Sequence, residues 1–282
     1  MGVQVRVTVY AADADTAARA CEAAFGRMAD LEQVMSDYRP RSELMQLCEH
    51  AGGPPVPVSQ DLFAVLQRAY AISEQTHGAF DVTIGPYVQL WRRARKTGQW
   101  PPKDEWRAAG ELVGYRKMRL DPEARTVQLL VPGMRLDLGG IAKGYILDRA
   151  LETLKGMGLN RAFLWAGGDI VAGDPPPGRP GWRVEVWRPE GGQRYLTVAN
   201  VGVSTSGDTE QFVVINGRRY SHIIDPRWGP RHGDPVLATV VAPDATTSDG
   251  LATAAVVLGE RKAPDLLGGT PGVTLYIRRA RP

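Results

Sequence analysis

Apolar and polar positions alternate from the start of the chain, where "VQVRVTV" has the two-residue period of a half-buried strand. The period then lengthens. "DADTAARACEAAFGRMADLEQVMSDY" carries apolar residues at helical spacing and predicts a helix ending near Pro40. "SQDLFAVLQRAYAISEQTHG" predicts a second, with Ser59 to cap it and Gly78 to stop it. "HAGGPPVPV" is the turn-rich connector between them, "KTGQWPPKDEW" is another loop, and "PPPGRPG" leads into "WRVEVW". Further along, the alternation predicts a short strand ending at Asp137 and strands near residues 182–188, 194–201, 211–215, 236–242 and 272–277. Helices are expected to start near Ile141 and Ser248, the first with Ile146, Ala150, Leu151, Leu154 and Met157 on one face until Gly158. Strands and helices mix without strict alternation and no repeat of fixed period stands out, so the expected class is α+β, in one domain over 1–282.

Composition narrows the classes without naming one. With 43% hydrophobic and 23% charged residues the chain is an ordinary globular sequence, which excludes fibrous and wholly disordered architectures. A net charge of +3 does not announce nucleic acid, and the basic stretches "WRRARKTGQW" and "IRRARP" read as solvated faces, with Trp91 and Trp100 as core anchors. Cys21 and Cys48 are too few and too isolated for a disulfide framework or a cysteine zinc site. No run of 18 apolar residues is present, and the opening strand lacks the pattern of a signal peptide, so a cytoplasmic location is expected.

The candidate chemistry lies where strands end and helices begin. In "RLDLGGIAKGYILDRALETLKGMG" two glycines open a helix whose first turn holds Lys143. Backbone N–H groups, a positive helix end and a lysine together suit a diphosphate, whereas the plainer reading is a turn that needs glycine. Neither the P-loop nor the dinucleotide fingerprint fits the spacing. In "TTSDGLATAAVVLG", Asp249 and Thr253 are four apart and project from one helical face, where they could share Mg²⁺; alternatively Asp249 only complements the helix dipole. "GAFDVTIG", "VSTSGDTEQF", "RRYSHIIDPRWG" and "FLWAGGDIVAGD" also set polar residues among apolar ones, and each alone is explained by a cap, a tight turn, a buried histidine or a strand-end turn.

Together and in this order, "MSDYRPRSEL", "GAFDVTIGPYVQLW", "LDLGGIAKGYILD", "WAGGDIVAGD", "STSGD", "YSHIIDP" and "SDGLATA" resemble the motifs of one family, the ApbE-like FAD:protein FMN transferases. The resemblance spans nearly the whole chain and implies an ApbE-like, T-fold-related mixed architecture. It also implies an activity: transfer of FMN from FAD to a Thr or Ser hydroxyl of an acceptor flavoprotein as a phosphoester, with release of AMP. Such acceptors carry an Asp-x-x-Thr/Ser-type motif and are membrane redox subunits or soluble flavoproteins. The matching positions imply Asp249 and Thr253 as Mg²⁺ ligands with the backbone carbonyl near Gly140 as a third, and Tyr38, Ala79, Phe80, Asp81, Asp137, Lys143 and Ile223 as flavin-adenine contacts.

Tyr38 and Phe80 offer aromatic faces, Asp81 and Asp137 offer acceptors, and Lys143 meets the diphosphate in this reading. His222 is the candidate base for the acceptor hydroxyl, because an ordinary imidazole titrates near neutrality. Gly167 and Gly168 let a strand end approach ligand or metal, with Asp169 bonding into the adjacent loop. Thr209 and Trp228 depart from the family pattern, as does the insert "GPRHGDP". Many members are exported and anchored, so a trimmed start would place the chain at the periplasmic side of the inner membrane. A water acceptor would instead make an FAD pyrophosphatase with the same metal site, and loss of catalysis would leave an FAD-binding protein.

Overall fold

The computed structural model describes residues 2–187, 193–207, 211–230 and 235–279. In chain order the elements are β1 (Val5–Val9), α1 (Ala14–Met35), α2 (Glu43–Glu49), β2 (Val56–Pro57), α3 (Gln60–Gln75), α4 (Gly85–Thr97), α5 (Lys103–Glu111), β3 (Met118–Asp121), β4 (Thr126–Leu129) and α6 (Ala142–Gly156). There follow β5 (Ala162–Ala166), β6 (Asp169–Ala172), β7 (Trp182–Trp187), β8 (Gln193–Val198), β9 (Val201–Gly207), β10 (Phe212–Ile215), β11 (Arg218–Ser221), β12 (Val236–Ala242), α7 (Ala245–Leu267) and β13 (Thr274–Arg279). The class is α+β, as the mixed pattern implies.

Six strands form the main sheet in the order β1-β5-β6-β9-β12-β13, with every neighbouring pair antiparallel. Helices α6 and α7 lie against this sheet and against each other, and α1 packs on α6. Helix α1 buries Ala20, Ala24, Met28, Leu31 and Met35, a three-to-four-residue spacing that makes one apolar stripe. The β7–β8 hairpin supplies a second layer, in which Trp182, Val184, Val186 and Val198 cover Ala172 and Val203 of the sheet. A separate cluster of Tyr87, Trp91, Trp106, Ala109, Val113 and Ile224 joins α4 and α5 to the loop after β11. Trp91 is thus a core anchor, and Trp100 stacks on Tyr220 at a centroid distance of 3.6 Å. Asn216 and Gly217, at φ 52° and 72°, turn the β10–β11 hairpin, whose inner residues Ile215 and Tyr220 pack on Ala94 of α4.

Several boundaries differ from the sequence expectation, each for a local reason. Helix α1 ends at Met35 rather than near Pro40, because Ser36 leaves the helical region at ψ 124°, and α2 follows as an additional helix capped by Ser42. Residues before Asp137 form no strand, and the Asp137 N–H donates to the Val82 carbonyl at 2.8 Å. The expected strand over 194–201 is two strands, β8 and β9, separated by a turn at Asn200 with φ 54°. Helix α7 starts at Ala245, a turn earlier than Ser248, because the Asp244 side chain accepts from Thr247 N–H and caps it. Asp249 therefore sits in the second turn. Further on, Gly259 interrupts α7 with φ 72° and ψ 175°. Ser59 caps α3 as expected, and Cys21 and Cys48 are free thiols. Among the described residues no helix is long and apolar enough to cross a membrane. Asp208, Thr209 and residues 231–234 of the "GPRHGDP" insert lie outside the described residues.

Two glycines seat α7. A Cβ at Gly202 of β9 would collide with the backbone of Asp244 and Ala245, and one at Gly144 of α6 would collide with the Ala245 carbonyl and lie 2.9 Å from Thr246 Cα. An alanine inside a helix ordinarily stabilises relative to glycine by about 1 kcal/mol. Here backbone stands in the way, so Gly144→Ala is expected to destabilise by about 1–3 kcal/mol. The check is urea denaturation, and a raised midpoint for Gly144→Ala would contradict the close approach of α6 to α7.

Candidate active site

Three chain segments converge at the start of α6: the Gly139–Gly140 turn before it, the Gly167–Gly168 turn between β5 and β6, and the first turns of α7. The turn at Gly167 has φ 62°, and a Cβ at Gly168 would lie 2.5 Å from the Thr205 carbonyl oxygen of β9. Close strand packing explains that glycine. It also brings the first residue of β6, Asp169, into register with Ser204 of β9 and under α6.

Asp169 does not bond into the adjacent loop as the sequence suggested. Its Oδ2 accepts from Lys143 Nζ, and the same ammonium lies 3.7 Å from Oδ1 of Asp249. Both carboxylates are 1% exposed. Asp249 Oδ2 accepts from the Gly144 N–H at 3.1 Å, so this carboxylate also satisfies a free donor at the start of α6. Burial first, and the neighbouring Asp169 charge second, push the Asp249 carboxyl above its usual range, while Lys143 pulls the other way. Burial alone would lower the lysine, but the two carboxylates outweigh it and hold Lys143 firmly protonated.

One turn further along α7, Thr253 Oγ1 lies 3.3 Å from Ser206 Oγ of β9. A Cβ added at Gly140 would sit 2.9 Å from Thr253 Oγ1 and 3.3 Å from Phe80 Cε2. The bare backbone of Gly140 thus borders the Thr253 hydroxyl, on the face of α7 that also carries Asp249. A carboxylate, a hydroxyl and a main-chain carbonyl form an all-oxygen donor set suited to a hard divalent cation. Among the described residues no three His, Cys, Asp or Glu side chains cluster as a metal site, and this donor set does not depend on one.

The remaining predicted residues divide into two groups. Tyr38 is 75% exposed, with the Arg92 guanidinium 4.2 Å from its ring centroid. Arg92 also binds Asp37 and, at 3.1 Å, Asp137, while the Gly139 N–H donates to Asp137 at 2.8 Å. Burial and the Asp37 charge raise the Asp137 carboxyl, against that N–H and Arg92. Tyr38 and Asp137 are therefore joined through Arg92, a residue sequence reasoning left in a solvated basic run. The signal that could have found it is its place one helical turn after Val88 and Gln89 in the "FDVTIGPYVQLW" segment, whose motif was recognised.

Phe80 and Asp81 carry different roles from those first read for them. The Phe80 ring is 4% exposed and packs in the main core beside Gly140, so it offers no open face. Asp81 caps the short 3-10 turn Val82–Ile84 and accepts from Thr83 N, Thr83 Oγ1 and Tyr115 N at 2.6–2.8 Å. Its carboxylate is spent inside the protein. Ala79 and Ile223 are buried at 1% and 9% exposure.

His222 follows β11 on the hairpin. Its Nδ1 lies 2.8 Å from the Gln211 carbonyl, its ring centroid is 6.3 Å from that of Trp91, and its neighbour Asp225 is tied to Arg227 by two side-chain bonds. A carbonyl only accepts, so Nδ1 carries a proton. These described contacts run to the hairpin and α4, not to the Lys143–Asp169–Asp249 cluster.

Against known proteins, the ApbE family model matches residues 1–277. The chain belongs to the ApbE family. Among curated relatives of this ApbE member, the FAD:protein FMN transferase of Treponema pallidum is 37% identical over 97% of the chain and 81% of its own length. That of Haemophilus influenzae is 33% identical over 83% and 71%. The crystal structure of the Thermotoga maritima ApbE protein superposes with a TM-score of 0.85 at 31% identity, covering 99% of this chain and 94% of that one. The Pseudomonas stutzeri flavinyl transferase ApbE in its apo form gives 0.86 at 24% identity over 99% and 92%.

In this ApbE member Lys143 balances two buried acids, so removing it leaves them uncompensated. Lys143→Met is expected to destabilise the fold by about 3–5 kcal/mol. Adding Asp169→Asn, which removes one of the stranded charges, should recover part of that loss. A chemical-denaturation cycle reads the coupling, and strictly additive losses would show that the three groups do not act as a unit.

Proposed function

We propose that this chain is a FAD:protein FMN transferase, acting as one unit that moves FMN from FAD to a Thr or Ser hydroxyl of an acceptor flavoprotein and releases AMP. The observation that carries the reading is the convergence of Lys143, Asp249, Thr253 and Gly140 at the start of α6 in a chain whose relatives bear that activity in their names. The oxygen donors suit a divalent cation, and the helix start and lysine beside them suit the diphosphate that joins FMN to AMP.

The step balances as follows. The acceptor Oγ bonds to the phosphorus of the FMN half, the bond from that phosphorus to the bridging oxygen breaks, and AMP leaves with that oxygen. The acceptor proton passes to the His222 imidazole, which the Gln211 carbonyl holds through Nδ1. Mg²⁺, when held by the Asp249 carboxylate, the Thr253 hydroxyl and the Gly140 carbonyl, offsets the charge of the diphosphate oxygens. Lys143 donates to the diphosphate from its place between Asp169 and Asp249. Tyr38 and Asp137, linked by Arg92, flank the flavin-adenine side, and the backbone of Ala79, Phe80 and Asp81, with Ile223, borders it.

The test is intact-mass analysis of an acceptor flavoprotein bearing an Asp-x-x-Thr/Ser motif after incubation with FAD, Mg²⁺ and the purified protein. A mass gain equal to FMN, absent with Asp249→Ala, is expected. Free FMN and AMP with an unlabelled acceptor would instead mark an FAD pyrophosphatase, and intact bound FAD a binding protein. His222→Asn should retain FAD binding, read by flavin fluorescence, and lose transfer; persistent transfer would remove the imidazole from the reaction.

A further inference from the structure

The start of α7 is held by two carboxylates, one of its own and one from α6. Its first three N–H groups have no partner within the helix. Asp244 caps in the ordinary way, accepting from Thr247 N at 2.6 Å. The other two donors are taken by a residue of another helix: Asp148 of α6 accepts from Ala245 N at 2.9 Å and from Thr246 N at 2.8 Å. Thr246 Oγ1 adds a third bond to Asp148 Oδ2 at 2.5 Å. Asp148 is 8% exposed, and burial raises its carboxyl to about 6 against the pull of these three donors.

The arrangement is reciprocal. Gly144 and Asp148 are four apart in α6 and share one face. On that face the Gly144 N–H donates to Asp249 of α7, and one turn on, Asp148 accepts from the N–H groups of α7. Each helix start is thus held by a carboxylate from the other. Asp244 satisfies one of these donors and Asp148 the other two; because Asp148 belongs to α6, its three bonds also fix where the start of α7 sits along and around α6. That placement sets Asp249 against Gly144 and Thr253 beside Gly140.

We propose that Asp148 is a positioning residue for the divalent-cation site, holding α7 in the register on α6 that brings Asp249, Thr253 and the Gly140 carbonyl together. The proposal rests on the reading of those three groups as the metal's ligands. Removing a residue that orients metal ligands typically weakens metal binding about 10–100-fold.

The experiment titrates Mg²⁺ alone into the purified full chain by calorimetry, for the wild type, Asp148→Ala, Asp148→Asn and Thr246→Val, with Asp249→Ala as the reference for a lost ligand. Asp148→Ala should weaken Mg²⁺ binding by about 10–100-fold, with helical circular dichroism retained because Asp244 still caps. Asp148→Asn, which keeps one acceptor oxygen, and Thr246→Val, which removes one donor, should fall between it and the wild type. Excess Mg²⁺ should restore FMN transfer in Asp148→Ala but not in Asp249→Ala. Unchanged Mg²⁺ affinity in folded Asp148→Asn and Thr246→Val, with only a lowered melting temperature, would overturn the proposal and leave Asp148 as a structural cap. A wild type that binds no Mg²⁺ would overturn the metal reading itself, and the proposal with it.

Discussion

The structure turns on the meeting of two helix starts. A helix N-terminus carries partial positive charge and unpaired N–H groups, and two such ends brought together would repel unless anions stood between them. Asp249 and Asp148 are those anions, each fixed on the opposite helix. The lysine at the start of α6 and Asp169 from the sheet then complete a buried cluster of alternating sign. Helix packing and the electrostatics of the site are therefore one arrangement. Neither helix can shift without stranding a charge, and the glycines at 144 and 202 allow the approach that makes this possible.

That coupling carries an electrostatic cost. A carboxylate buried beside another is raised above its ordinary range, and the Lys143 ammonium between Asp169 and Asp249 offsets part of that cost. The Tyr38 side is organised differently. Arg92 ties Asp37 and Asp137 together beneath the exposed Tyr38 ring, so two largely buried carboxylates sit under one open aromatic face.

What the sequence revealed follows the range of the interactions concerned. Local periodicity and caps gave α1, α3 and α6 and placed Asp249 and Thr253 on one helical face, because those relations span a few residues. The Lys143–Asp169 pair spans 26 residues and the Asp148–Ala245 bond 97, and no local pattern encodes either. Gly-Gly-Asp at the end of β5 was noticed, but its partner could only come from the sheet order that slides β6 beneath α6. The start of α7 lies a turn before Ser248 because "PDATTSDG" offers five capping side chains in six residues, and the bond from Thr247 N–H to Asp244 selects among them. Phe80 and Asp81 were read outward as ligand groups, whereas Thr83, Tyr115 and the core claim them.

The interruption of α7 at Gly259 bears on how the chain tolerates change. Upstream of it, Ala245 to Val257 are almost wholly buried and hold the donor groups; downstream, residues 260–262 face solvent. A continuous helix is a stiff rod, and a bend or rotation at one end is felt at the other through its hydrogen-bond ladder. The positive φ of Gly259 puts a kink in that rod. The helix therefore changes direction between the turns that carry Asp249 and Thr253 and a short distal segment, which Ala263 and Leu267 anchor separately in the same core.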